Sequence, residues 1–282
     1  MEIKEIQAKT ILVKSKLPEC DYVVNCYTGC GFGCSYCYAS FMGRFVGKKV
    51  GDWGDYVYVK KNAPELLREE LKKLKDNGLG KTIFLSSVTD PFQATEGKYR
   101  LSEKCLKVIS DSGFKGEVSI LTKSPSVLKV IPILKKLKNV EVGITITTTS
   151  DKISRYFERS APSASSRLEA LTKLNQEGIK TYAFLGPLLP HFIAEKEKLK
   201  AVLDAIYKTG TRKLFIEHIN LSPYIRERMF KELKDLDQNI IDKFYSSQSK
   251  DYRGELNKVI YELLQKYDFE LLSGEILYHL DK

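Results

Sequence analysis

No run of apolar residues in this chain approaches the ~20 needed to span a bilayer. The N-terminus, Met1-Glu2-Ile3-Lys4-Glu5-Ile6, puts charges where a secretory leader needs an unbroken apolar stretch. The expectation is a cytoplasmic protein with no membrane partner. Histidine is scarce: His191, His218 and His279 are the only three, and none has a partner at ligand spacing. A mixed cysteine–histidine metal site is therefore poorly supported. There is no internal repeat and no low-complexity tract. With 43% apolar and 29% charged residues, collagen-like, mucin-like and wholly disordered chains are excluded.

What is present is a chain of 282 residues, long enough for a full core without staples. Its 46 Lys+Arg against 36 Asp+Glu give a net charge of +10. That balance favours acidic partners such as nucleic acid, although thermostable proteins are often equally rich in lysine.

From about residue 64 a strand–helix alternation sets in. Helical spacing covers Pro64 to Asn77, Ser102 to Ser112, Val127 to Lys138, Ser163 to Glu177 and Ala194 to Lys208. Between them lie strand-like runs at Lys81 to Ser87, Val118 to Thr122, Val140 to Thr147, Thr181 to Leu185 and Lys213 to Asn220, with one more around Tyr22 to Cys26. Six βα-like units imply a parallel sheet but are too few for a closed eight-fold barrel. The expected fold is α/β: a partial (β/α)6 TIM-type barrel over residues 1–222. A mostly helical C-terminal extension, 223–282, is expected to pack on the same core, since no linker precedes it.

Five of the six cysteines fall between Cys20 and Cys37, and Cys105 stands alone. In a reducing compartment such a cluster suggests metal before disulfides. Cys30, Cys34 and Cys37 have the spacing C-x3-C-x2-C within a loop, residues 26–40, that contains Gly29, Gly31 and Gly33. Thiolates suit zinc or iron–sulfur clusters, and glycine permits the tight backbone that wraps a compact cluster. Structural zinc wants four ligands, and no downstream pair supplies the rest. Cys26 is a rival ligand at the same spacing, but its place at the first strand favours a buried apolar role. Cys20 and Cys105 are expected to be inert.

C-x3-C-x2-C with an aromatic residue, Tyr36, before the last cysteine resembles the signature of radical S-adenosylmethionine (radical SAM) enzymes. The likeness extends to the spore photoproduct lyase-like branch. It is carried by Tyr27 to Cys30, Cys37 to Ala39, Asn62 to Leu67, Ser86 to Gln93, Thr122 to Ser124, Ile144 to Thr148, Ala161 to Ser163 and Arg167 to Ala170. The resemblance implies a [4Fe-4S] cluster on Cys30, Cys34 and Cys37, with the fourth iron chelated by S-adenosyl-L-methionine. It further implies that Ser86, Ser87, Thr89 and Asp90 sit by the SAM amino group, that Lys123 pairs with the SAM carboxylate, that Thr145 faces the ribose, that Gly186 meets adenine, and that Tyr36 belongs to the same cofactor-binding set. These positions fall at C-terminal strand ends, where barrel folds build active sites. Taken residue by residue, Asp90 could equally start a turn at Pro91, and Lys123 could be a solvated charge. Arg167 and Glu158 could orient the site or form a helix-surface pair.

The activity so implied is reductive cleavage of SAM to a 5′-deoxyadenosyl radical, with flavodoxin or ferredoxin as the type of electron donor. A nucleic acid or nucleotide substrate is favoured by the branch and the charge. Spore photoproduct lyase proper carries a hydrogen-donating cysteine near the step occupied here by Ser87 and Val88, so thymine-dimer repair by that route is not expected. Peptide modification is the enzymatic alternative, and a non-catalytic metal-containing nucleic-acid-binding protein is the other. The stretch Phe41 to Asn62 mixes aromatic and basic residues and could contact substrate or pack under the loop.

Overall fold

Runs rich in β-branched and aromatic residues form the strands, and six of them lie parallel in chain order. They are β1 (Tyr22–Val24), β2 (Thr82–Leu85), β3 (Glu117–Thr122), β4 (Asn139–Ile146), β5 (Lys180–Leu188) and β6 (Lys213–His218). These assignments come from a computed structural model that describes residues 1–18 and 20–278; His279 and the end of the extension lie outside the described residues. Leu12–Lys14 adds an antiparallel edge beside β1, and Glu270–Leu271 a parallel one beside β6. Among the described residues the two edges stay unjoined, so the sheet is a partial barrel, as expected.

Period-two alternation gives each strand an outer and an inner face. On β4 and β5 the outer row is Val142, Ile144, Ile146, Ala183 and Leu185, all about 1% exposed or less and roofed by the helix Ala164–Gln176. The inner row is Glu141, Gly143 and Thr145, then Tyr182, Phe184 and Gly186, then Lys213, Phe215 and Glu217 on β6. Cross-strand contacts tie this row together: Lys213 pairs with Glu141 at 2.8 Å, and the Tyr182 and Phe215 rings meet at 5.4 Å. Gly143 is needed there, because a β-carbon would fall 2.1 Å from the Tyr182 ring.

Two expected helices are shorter than their periodicity suggests. The first spans Ala63–Leu71, since Asp76 and Asn77 take left-handed φ of 50° and 52° and turn the chain out of the helix. Val127 to Lys138 splits into a 3-10 turn, Pro125–Val130, and a single α-turn, Ile131–Leu134. Pro132 lacks an N–H and is tolerated only in a first turn. The C-terminal helices Pro223–Leu233, Gln238–Ser246 and Lys250–Leu264 bury Met229, Leu233, Phe244, Ile260 and Leu263 in the same apolar core as the barrel.

A second, three-stranded sheet was not expected. Glu2–Ile6 runs parallel to Tyr56–Lys60, which pairs antiparallel with Tyr27–Thr28 at the start of the cysteine loop. Trp53, Tyr56 and Tyr58 of the 41–62 stretch therefore pack inward, whereas Phe45 stays exposed: Trp53 and Tyr56 are buried edge to face, and Tyr56 meets Tyr58 likewise. Lys60 donates to the Asn25 carbonyl at 2.8 Å, and Lys61 pairs with Glu5.

Candidate active site

The cysteine loop leaves β1 at the C-terminal rim of the barrel and is pinned from both sides. Thr89 Oγ1 donates to the Gly29 carbonyl at 2.6 Å, and the Gly31 N–H donates to Gln93 Oε1 at 2.9 Å. On the far side Ser35 N donates to the Phe157 carbonyl at 2.9 Å, and Ser160 N to the Phe32 carbonyl at 3.1 Å. Gly29 has φ +92°, and a β-carbon there would sit 2.4 Å from the Tyr56 carbonyl oxygen, so both conformation and space require glycine.

All six cysteines are free thiols. Cys30 and Cys34 are buried and Cys37 is partly exposed. Burial pushes all three thiols up, Cys34 to about 12. Among the described residues, no three His, Cys, Asp or Glu side chains converge closely enough to hold a single metal ion. Cys26 Sγ lies 3.5 Å from Cys105 Sγ in the core, and Cys20 Sγ donates to Ser15 Oγ at 3.1 Å. His218 Nε2 is 2.7 Å from Asn257 Oδ1.

Lys123 follows β3 directly, and its Nζ lies 5.7 Å from the centroid of the Tyr36 ring. Burial pulls its ammonium down, but the Cys34 thiol and the Glu158 carboxylate outweigh burial and hold it raised. A cation placed between a cysteine, a carboxylate and a ring face is not a solvated strand-end charge. Asp90 fastens the neighbouring strand ends together: its carboxylate accepts from Thr122 Oγ1 at 2.6 Å, Lys123 N at 2.8 Å and Phe92 N at 2.9 Å. Burial still raises its pKa, against those three donors.

The remaining rim positions differ in what they leave free. Ser86 is buried at φ 70° with a hydroxyl that has no hydrogen-bond partner. Ser87 accepts from Asn25 Nδ2 at 3.3 Å and offers its carbonyl to the Tyr38 hydroxyl. Thr145 is buried, and its carbonyl accepts from Arg167 Nη1 at 3.4 Å. At Gly186, which precedes a cis proline, a β-carbon would lie 2.9 Å from the Phe184 ring and 3.0 Å from Glu217 Cβ, so a side chain there would have to push its neighbours aside. Tyr36 presents its ring to Lys123 while its hydroxyl turns inward to donate to Glu158.

Glu158 and Arg167 are a wholly buried ion pair, each side chain 0% exposed, and not a helix-surface pair. Glu158 also accepts from Ser154 Oγ at 2.8 Å and Thr147 Oγ1 at 3.3 Å, while Arg167 Nε donates to the Pro162 carbonyl at 2.9 Å. Burial would raise the Glu158 carboxyl, yet Arg167 and Lys123 overcome it and hold it below the usual range. This network joins the cysteine loop, through Tyr36, to the end of β4.

Sequence reasoning missed Glu217 and Arg228. Glu217 sits at an inward position of β6, and burial pushes it up to about 7 against the opposing pull of Lys123. A carboxylate on the inner row of a strand was the signal for it. Arg228 Nη2 donates to the Cys34 carbonyl at 3.0 Å across 194 residues of sequence, and no local pattern announces that contact.

A family model described as the Radical SAM superfamily matches residues 24–199. An uncharacterized protein of Methanocaldococcus jannaschii is 38% identical over 193 residues, 68% of this chain and 70% of that protein. The spore photoproduct lyase of Clostridium acetobutylicum is 24% identical over 204 residues, 72% of this chain and 57% of the relative. Among solved structures, spore photoproduct lyase complexed with dinucleoside spore photoproduct superposes with a TM-score of 0.70 at 14% identity, covering 94% of this chain and 79% of that one. Streptococcus suis SuiB bound to precursor peptide SuiA gives 0.52 at 14% identity, over 88% and 47% of the two chains. No described helix is long and apolar enough to cross a membrane.

Proposed function

The chain belongs to the radical SAM superfamily and is an enzyme; from this premise we propose that Cys30, Cys34 and Cys37 hold a [4Fe-4S] cluster and that S-adenosylmethionine binds at the rim beside Lys123. The observation that carries this reading is the trio of unbridged thiols on one glycine-turned loop, with a half-buried cation and an unpartnered hydroxyl at the same strand ends. The donor set fits the group. Buried thiols this weakly acidic stay protonated unless a metal replaces the proton. Three cysteine ligands leave one iron of a four-iron core without a protein ligand, whereas structural zinc wants four. When bound, cluster and SAM together supply a one-electron cleavage that yields methionine and a 5′-deoxyadenosyl radical able to take hydrogen from a substrate.

The protein's own part is to hold and shield. Lys123 pairs with the SAM carboxylate, and Asp90 fixes the backbone that aims it. The Ser86 hydroxyl and Ser87 face the amino end, Thr145 lies toward the ribose, and the bare backbone at Gly186 admits the adenine. Thr89 and Tyr36 serve the loop instead, through Gly29 and Glu158. Residues 1–222 form the catalytic barrel in this reading, and the extension from 223, as far as it is described, packs on the same core. The substrate we propose is a nucleic acid or nucleotide, supported by the +10 charge and by a structural neighbour that binds a dinucleoside.

Anaerobic reconstitution tests the reading. About four iron and four sulfide per chain are expected, with 5′-deoxyadenosine formed once SAM and dithionite, or a reduced flavodoxin or ferredoxin, are added. Cys34→Ala should abolish both, and Cys105→Ala should spare both. Zinc in place of iron, or equal losses in the two variants, would overturn the assignment. Deuterium transfer into 5′-deoxyadenosine from labelled oligonucleotides, with labelled peptides in parallel, identifies the substrate class.

A further inference from the structure

The helix Pro223–Leu233 lies outside the family-matched segment, yet it grips the cysteine loop at two successive residues. Arg228 Nη2 donates to the Cys34 carbonyl at 3.0 Å, and Met229 Sδ accepts from Ser35 Oγ at 3.2 Å. The Met229 contact anchors the helix. The Arg228 contact leaves something over: its Nη1 is buried and has no hydrogen-bond partner. Two further polar atoms next to the same loop are buried and unpartnered, the Tyr56 hydroxyl and Ser40 Oγ. Ser40 N donates to the Cys37 carbonyl at 3.3 Å, and Tyr56 lies against Gly29 and Gly43. A buried guanidinium N–H without an acceptor costs free energy comparable to a lost charged hydrogen bond. The spare, buried N–H of Arg228 beside Cys34 marks a place where an anionic acceptor belongs.

We propose that Arg228 compensates the negative charge of the cysteine-bound cluster, so that the C-terminal helix, and not the barrel, sets how easily the cluster takes up an electron. The proposal rests on the cluster assignment above. Three thiolates make the assembly anionic, and an added electron makes it more so. A desolvated cation held beside Cys34 and Cys37 therefore stabilises the reduced form more than the oxidised one. The guanidinium cannot lose its proton under these conditions and its planar fork fixes its position, so the compensation is permanent. Of the other cations near Cys34, the half-buried Lys123 is assigned to the SAM carboxylate in this scheme and Arg167 is paired with Glu158, which leaves Arg228 for the cluster.

The test is a redox titration of the reconstituted full chain followed by electron paramagnetic resonance, in wild type, Arg228→Lys, Arg228→Gln and Arg228→Met. The neutral variants should take up an electron at least tenfold less readily, a midpoint about 59 mV more negative for one electron, with Arg228→Lys close to wild type. Neutral variants with a wild-type midpoint would overturn the proposal, as would an Arg228→Lys midpoint that falls as far as theirs. If both neutral variants fail to hold iron, loading of Arg228→Lys decides: a loaded lysine variant shows that the charge is required, and an empty one refutes the charge role. A wild-type chain that takes up no cluster sinks the underlying assignment instead, so the two failures are distinguishable.

Discussion

Replacing Glu158 by glutamine should destabilise the protein far more than a change of one atom suggests. The carboxylate receives Tyr36, Thr147, Ser154 and Arg167 in a site wholly buried from the surface. Glutamine keeps one acceptor oxygen, but its NH2 must then face a donor, and the Arg167 guanidinium is left charged and 0% exposed. Breaking a buried pair in this way costs about 3–5 kcal/mol. At roughly 2–3 °C per kcal/mol for a chain this size, Tm should fall by about 6–15 °C. Urea and thermal melts on the metal-free protein at pH 7 measure it without interference from the cluster.

The pH dependence carries its own sign. Glu158 has a folded pKa below its usual 4.5, so its stabilisation is fully present above that value and is lost as pH falls through the lower folded one. Wild type and Glu158→Gln should therefore converge only below pH 4.5. The double variant Glu158→Leu/Arg167→Met should recover most of the stability, because apolar groups of similar size replace buried pairs at little cost. It should not recover iron loading, since Tyr36 has lost its anchor. A loss under ~1 kcal/mol at pH 7 for Glu158→Gln would refute the buried-pair reasoning.

Three other outcomes are expected. Lys123→Gln should keep its iron but bind SAM about 10–100-fold more weakly, the worth of one charged hydrogen bond; unchanged affinity in anaerobic dialysis would remove Lys123 from the SAM carboxylate. Glu217 has its folded pKa raised to about 7, so its contribution favours the fold at acid pH and is lost as pH rises between about 4.5 and 7. Glu217→Gln should accordingly flatten the decline in stability across that window, and a curve parallel to wild type would contradict the buried placement. Gly29→Ala should abolish iron uptake, because its β-carbon meets the Tyr56 carbonyl, whereas Gly51→Ala, which opens onto free space, should not; equal iron contents would show that the loop tolerates displacement.

The barrel was legible because its units are local. Each strand of Val, Ile and Phe, and each helix closed by a glycine such as Gly178, announces itself within a dozen residues. The cysteine spacing is equally local, and so are the strand-end positions of Lys123 and Asp90. What could not be read depends on distance. Glu2–Ile6 is mostly charged and exposed, and becomes a strand only because Tyr56–Lys60 offers it an edge. The tyrosines of that partner strand look like candidate base-stacking residues until the sheet buries them. Asp90 reads as a turn starter from its proline, but its three donors come from its own turn and from the end of β3. Arg228 sits on an ordinary amphipathic helix, and only tertiary packing tells it from the solvated arginines nearby.

The clasp from Pro223–Leu233 onto Cys34 and Ser35 has a consequence for how the protein comes into being. During synthesis the cysteines leave the ribosome long before the residues that grip them, which follow 194 positions later. A nascent chain thus carries its thiols on an open, unframed loop, exposed to oxidants and to stray cations. On the cluster assignment proposed above, a chain truncated before Arg228 lacks both contacts and should hold less iron than the full chain.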